Sequence, residues 1–254
     1  MKRLTGLLGL TLALSLLSAC GHAASAAPSP ASSSSPALDC VIVDGAEDGS
    51  LLLAETDGSA GAVFRVGAGV ETVSVTVDGN AASWQDLRDG MRIRVTFDGS
   101  IMETYPAQPS GVTAIAGETA SIDDRCGLYL QVLEDLWAAD PGLNDGITEL
   151  GVDLSGLTDL SGAEKSAVAW RFGELHGIVP LEASYDELVE EGYIDGKELY
   201  WEDGCLFTLS GSAEAGFDAQ KWRSGLGAYF FTGCTARRSG NGSWTYRIGA
   251  EAIS

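Results

Sequence analysis

Nine Asp-Gly pairs, at positions 44, 48, 57, 78, 89, 98, 145, 195 and 203, punctuate this chain and set the length of what can fold between them. Asp-Gly tolerates the positive φ of tight hairpin turns, so a chain cut this often is built largely from short strands. The first six pairs share their stretch with apolar residues that recur at period two. Met91, Ile93, Val95 and Phe97 alternate with Arg92, Arg94, Thr96 and Asp98; Val73, Val75 and Val77 alternate with Thr72, Ser74 and Thr76. Apolar runs at 41–43, 51–54, 63–66 and 111–115 complete a set of six strands. Turns at this frequency predict an all-β domain, a small closed or nearly closed barrel, over residues 39–120.

Within that region, residues 84–95, the Phe97-Asp98-Gly99 turn, the stretch 103–107 and the closing run 112–115 are similar to the small YobA-like domains of bacterial lipoproteins. The resemblance implies an OB-type fold and an extracytoplasmic location, and it implies no reaction.

Past residue 120 the pattern changes. Tyr129, Val132, Leu133, Leu136 and Trp137 follow Asp123-Asp124 at helical spacing and stop at Asp140-Pro141-Gly142. Ser161 with Glu164, and Ser184 with Glu187, have the capping-box spacing that opens two further helices. Strands at 198–201 and 205–209 flank a turn at Glu202-Asp203-Gly204, and apolar strands follow at 227–236 and 244–248. Helices first and a meander afterwards predict an α+β domain over 121–254, with helices on an antiparallel sheet. The boundary falls at 117–125, and Trp170, off the main stripe of its helix, is the candidate contact across it or part of a second core layer.

The N-terminus is an address. Lys2 and Arg3 precede an apolar run of residues 4–17, too short to span a bilayer, and then Leu17-Ser18-Ala19-Cys20. These residues resemble the lipobox of bacterial lipoproteins. The resemblance implies a signal peptide at 1–19, removed by cleavage, and acyl chains such as palmitate on Cys20. Residues 20–38 then form a lipidated tether, because its Ala-, Ser- and Pro-rich sequence buries no core. The expected location is the cell membrane, lipid-anchored on its extracytoplasmic face.

Charge narrows the partners. The net charge of −21 becomes −23 once Lys2 and Arg3 leave with the signal peptide, which excludes a phosphate-neutralising nucleic-acid binder. Arg65, Arg92 and Arg94 form a local basic stripe, readable as an anion site on the barrel face or as edge-protecting charge. Asp140, Asn144 and Asp145 offer oxygens for a weak cation, or a plain solvated loop. No calcium-loop spacing and no cofactor motif appears, so neither a metal nor a cofactor is expected.

Catalytic candidates are sparse. His176, with Glu174 nearby, has a cysteine as its conceivable partner, but a histidine at a helix C-terminus needs no such role. Glu202 with Asp203, or Glu187 with Glu190 and Glu191, are possible carboxylate pairs. Trp201, Trp222, Tyr229, Phe231, Trp244 and Tyr246 line either a sugar groove or a sheet core. The expected function is therefore binding or scaffolding, toward an envelope protein or a glycan, without catalysis. The alternative is an envelope enzyme acting on cell-wall or glycan material through carboxylates of the second domain. Four cysteines remain besides Cys20, and an even number in an exported chain suggests disulfides, Cys40 with Cys126 and Cys205 with Cys234.

Overall fold

The computed structural model describes residues 35–46, 49–56, 62–67 and 73–254. The signal peptide, Cys20, the tether up to residue 34, Asp48, the Asp57-Gly58 pair and Thr72 lie outside the described residues.

Nine strands come first: β1 (Ala37–Asp44), β2 (Ser50–Glu55), β3 (Val63–Gly67), β4 (Ser74–Val77), β5 (Asn80–Ala82), β6 (Arg92–Thr96), β7 (Ile101–Met102), β8 (Gln108–Pro109) and β9 (Ala114–Glu118). Then come α1 (Arg125–Ala138), β10 (Glu149–Asp153), α2 (Gly162–His176), β11 (Pro180–Leu181) and α3 (Tyr185–Glu190). The chain ends with β12 (Gly204–Ser212), β13 (Gly216–Ser224), β14 (Gly227–Arg238), β15 (Trp244–Arg247) and β16 (Ala250–Ile253).

Among the described residues these strands form three sheets and no closed barrel. The first runs β3-β2-β1-β6-β9-β4-β5, so β3 and β5 are left as its two edges, and β7 pairs only with β8. The small OB-like barrel is thus corrected to an open, seven-stranded sheet. At the β3 edge only an isolated bridge, Phe64 to Ala107, reaches toward the β7–β8 hairpin. The turn chemistry works as expected at Asp78-Gly79, where φ values of 52° and 74° make the tight β4–β5 turn.

The α+β expectation is also overturned. Sixteen strands against three α-helices make the described chain mostly β, and its second sheet is not a simple antiparallel meander. In the order β11-β10-β12-β13-β14-β15, strand β10 is parallel to both neighbours, while β16 pairs with β14 beside β15. Residues 198–201 form no strand of this sheet. Trp201 turns inward instead, and a Cβ on Gly204 would lie 2.0 Å from its ring, so that glycine serves close packing rather than a hairpin.

The helices also do not belong to one sheet alone. Along β1, Cys40 and Ile42 face one core, while Val41 and Val43 face another that contains Leu133 and Leu136 of α1 and Phe172 of α2. On β2, Leu51 and Leu53 face the first core, and Leu52 and Ala54 the second. That second core continues through Leu150, Phe207, Phe217 and Phe231 of the other sheet. A continuous apolar run is what a strand buried on both faces requires. Residues 35–254 accordingly cluster as one compact unit. Trp170 meets Tyr105 edge-on at 5.0 Å, joining α2 to the loop between β7 and β8. Arg65 of β3 holds both Glu174 carboxylate oxygens at 2.8 and 2.9 Å, and Arg171 connects Glu174 to Asp44 of β1.

Candidate functional site

A groove of about 440 Å³ lies between α1 and β15, an outer strand of its sheet. Period two puts Trp244 and Tyr246 on one face of β15, turned toward α1. The polar tip of each ring is fixed: Trp244 Nε1 donates to Asp123 Oδ1 at 2.7 Å, and the Tyr246 hydroxyl donates to Asp135 Oδ2 at 2.5 Å. Arg125 sits 5.8 Å from the Trp244 ring centroid. From α1, Gln131 donates to Asp135 at 2.8 Å, and Asp124 caps the helix by accepting from Gly127 N–H at 3.0 Å. Both residues are half-buried, packed in part against the second core and lining the groove with the rest. Held aromatics beside amide and carboxylate groups supply stacking and hydrogen bonds together.

Asp124 is the most perturbed acid here. Burial pushes its carboxyl up to about 7, against the pull of the Gly127 hydrogen bond, and Asp89, Asp44 and Asp123 add repulsion. A raised acid in a groove raises the question of acid catalysis. The second carboxylate is in the wrong place for it. Asp135 is eleven residues further along, about 16 Å at the helical rise, whereas paired glycosidase carboxyls stand about 5–9.5 Å apart. Asp123 offers no alternative, because Trp244 occupies one of its oxygens and Arg125 the other. Burial raises the Asp123 carboxyl, but those hydrogen bonds and the nearby arginines outweigh it and hold it below the usual range.

The other expected sites resolve differently. Glu191, Glu202 and Asp203 do share a cleft, of about 390 Å³, with Glu149, Tyr193 and Trp201. Glu187 is not among them; it caps α3 through Ser184, and Glu190 is exposed. The six aromatics do not form one groove: Trp201 and Trp222 pack under α3, Phe231 is core, and Tyr229 donates its hydroxyl to Glu251. His176 binds Glu134 at 2.9 Å and stacks on Trp137 at 3.6 Å, while the Cys205 thiol donates to the Trp222 carbonyl. No Cys–His pair forms between them.

Two of the three arginines of the basic stripe are held in ion pairs. Arg65 is bound to Glu174, and Arg94 binds Asp39, whose carboxyl is held low first by that hydrogen bond. The open groove of about 700 Å³ around Arg92 and Arg94 also contains Asp39, Asp78 and Glu118, so acids outnumber arginines there.

The Asp140–Asp145 loop does surround a cation, and it is a side chain. Lys221, fully buried on β13, donates to the carbonyls of Trp137, Ala139 and Asp140 and to Asn144 Oδ1 at 2.7 Å. Arg223 binds the Leu143 and Asp145 carbonyls. Sequence reading passed over Lys221, although it follows Phe217 and Ala219 at period two and so falls on the inward face.

Cys40, Cys126, Cys205 and Cys234 are all buried free thiols. The register sets Gly211 opposite Phe217 and Phe217 opposite Cys234. Cys234 is therefore level with Gly211, six residues or about 20 Å along β12 from Cys205, far beyond a disulfide's reach of about 7 Å. Cys40 and Cys126 belong to separate cores. No family model, curated protein or solved structure matches this chain.

Proposed function

We propose that this chain is a membrane-anchored extracytoplasmic lipoprotein that binds a neutral glycan in the α1–β15 groove and does not cleave it. The observation that carries the reading is the pair Trp244 and Tyr246 on one strand face, held opposite Gln131, Asp124 and Asp135. Sugars offer apolar ring faces to aromatics and hydroxyls to amides and carboxylates. A net charge of −21 disfavours an acidic polymer as ligand. The wide spacing between Asp124 and Asp135 weighs against cleavage in this groove.

Anchoring rests on Leu17-Ser18-Ala19-Cys20 after the short apolar run, with signal peptide 1–19 and a tether from residue 20 that ends where β1 begins at Ala37, two residues before the 38 expected from sequence. Among the described residues no helix is long and apolar enough to cross a membrane. Acyl chains on Cys20 would supply the two lipid signals that stable attachment needs.

Two experiments test these halves separately. Fractionation of cells carrying Cys20→Ala should find the protein released and free of lipid; retention in the membrane overturns the anchor. Tryptophan fluorescence titrated with chitotetraose should saturate for the native chain and lose most of its response in Trp244→Ala. An equal response in a folded Trp244→Ala overturns the groove as the site.

A further inference from the structure

The second sheet contains another cavity, set by topology. Strand β10 is followed by α2, whose Ala167, Val168 and Phe172 pack on the face bearing Phe207. The neighbouring parallel strand β11 is followed by α3, whose Leu188 packs on the opposite face with Leu206, Trp201 and Trp222. Adjacent parallel strands whose connections leave to opposite faces open a crevice beyond their carboxyl ends, a general location for ligands in such sheets. Here it measures about 320 Å³, the small end of the range for small-molecule sites.

Its polar groups are divided by side. Toward β10, Lys165 Nζ donates to the Ser155 carbonyl at 3.1 Å, and Asp153 Oδ1 accepts from the Ser155 N–H and Oγ at 3.0 and 2.6 Å. Toward β11 and α3, Glu182 accepts from Ser166 Oγ at 2.6 Å and Glu187 accepts from Ser184. Tyr105 reaches the same side from the β7–β8 loop and stands beside Ser166 and Glu182. One wall thus carries the cation with Asp153, a carboxylate already engaged by Ser155, and the other wall carries two carboxylates. A simple amine in this space meets Lys165, and a simple acid meets the glutamates, so a dipolar molecule is the one that satisfies both.

We infer that this crevice binds a small zwitterion of amino-acid size, with its carboxylate at Lys165 and its ammonium at Glu182 and Glu187. The assignment is independent of the glycan groove, which lies between other elements.

Isothermal titration of the full chain in detergent with the twenty common amino acids tests it, using glycine methyl ester and N-acetylglycine as singly charged probes. At least one amino acid should bind saturably below about 1 mM, with the ester and the N-acetyl compound at least about tenfold weaker. Lys165→Met and Glu187→Gln should each weaken binding by about tenfold or more while circular dichroism stays native; Trp244→Ala should leave it unchanged. Glu182→Gln provides a second test of the ammonium side if Glu187→Gln fails to fold. The inference is overturned if no amino acid gives a saturable signal, if a singly charged probe binds as tightly as the zwitterion, or if the folded variants bind like the native chain.

Discussion

Replacing Lys221 with methionine tests how β13 is tied to the end of α1 and the loop that follows it. Methionine fills most of the space of the lysine stem and cannot donate. The Trp137, Ala139 and Asp140 carbonyls and Asn144 Oδ1 then lose their shared donor at the end of α1. A buried acceptor left unsatisfied costs about 1–3 kcal/mol. Four acceptors at the lower end, since the loop beside them is partly exposed and admits water, give about 4 kcal/mol. For a domain of this size each kcal/mol lowers Tm by about 2–4 °C, so Lys221→Met should melt about 8–16 °C lower in near-UV circular dichroism. Apolar replacement of buried ions is neutral or stabilising when both partners are exchanged, but here the carbonyls stay. A loss under about 1 kcal/mol, or a gain, would refute the cage as a stabilising element.

Three further outcomes follow from particular contacts. Asp124 holds its proton more tightly folded than unfolded, so its contribution is fully present below pH 3.8 and lost as pH rises to about 7. Asp124→Asn keeps a good cap and stays neutral; urea melts should show it more stable by about 1–3 kcal/mol at pH 8 and little changed at pH 4, and a loss at pH 8 contradicts the assignment. Glu174→Gln, which loosens both Arg65 and Arg171, should cost about 1–2 kcal/mol at low salt and less at 0.5 M salt; a salt-independent effect speaks against the ion network. Burial first of all raises Cys40 and Cys205 to about 12 and Cys234 to about 11, so a thiol reagent at pH 8 should react slowly with the native Cys20→Ala chain. Denaturation without reductant should then release four thiols, and recovery of two or none would mean that bridges form.

Local signals in the sequence survived folding because they depend on a few neighbouring atoms. Ser161 with Glu164 and Ser184 with Glu187 make both bonds of their capping boxes, and Gly177 ends α2 in the left-handed region. Assembly was less legible. The runs 41–43 and 51–54 indicate strands, but the second face of each is covered by helices more than 70 residues away in sequence, and nothing in period two announces that. Strand β10 escaped because Glu149-Leu150-Gly151-Val152-Asp153 is short and holds a glycine, and its parallel partners come later in the chain. The aromatic residues were recognised as a set, yet which two line a groove depended on the pairing of β15 with β14 and on α1 beside it. The cation loop shows the same limit: its oxygens were visible, while the ammonium they hold lies 77 residues away from Asn144.

Binding without turnover at the α1–β15 groove is tested most directly by following chitohexaose with the native chain by nuclear magnetic resonance over one day. Saturation transfer to the sugar, relieved by Trp244→Ala, with the hexamer intact at the end, is the predicted result. Shortened products that disappear in Asp124→Asn would contradict it and make the groove an active site.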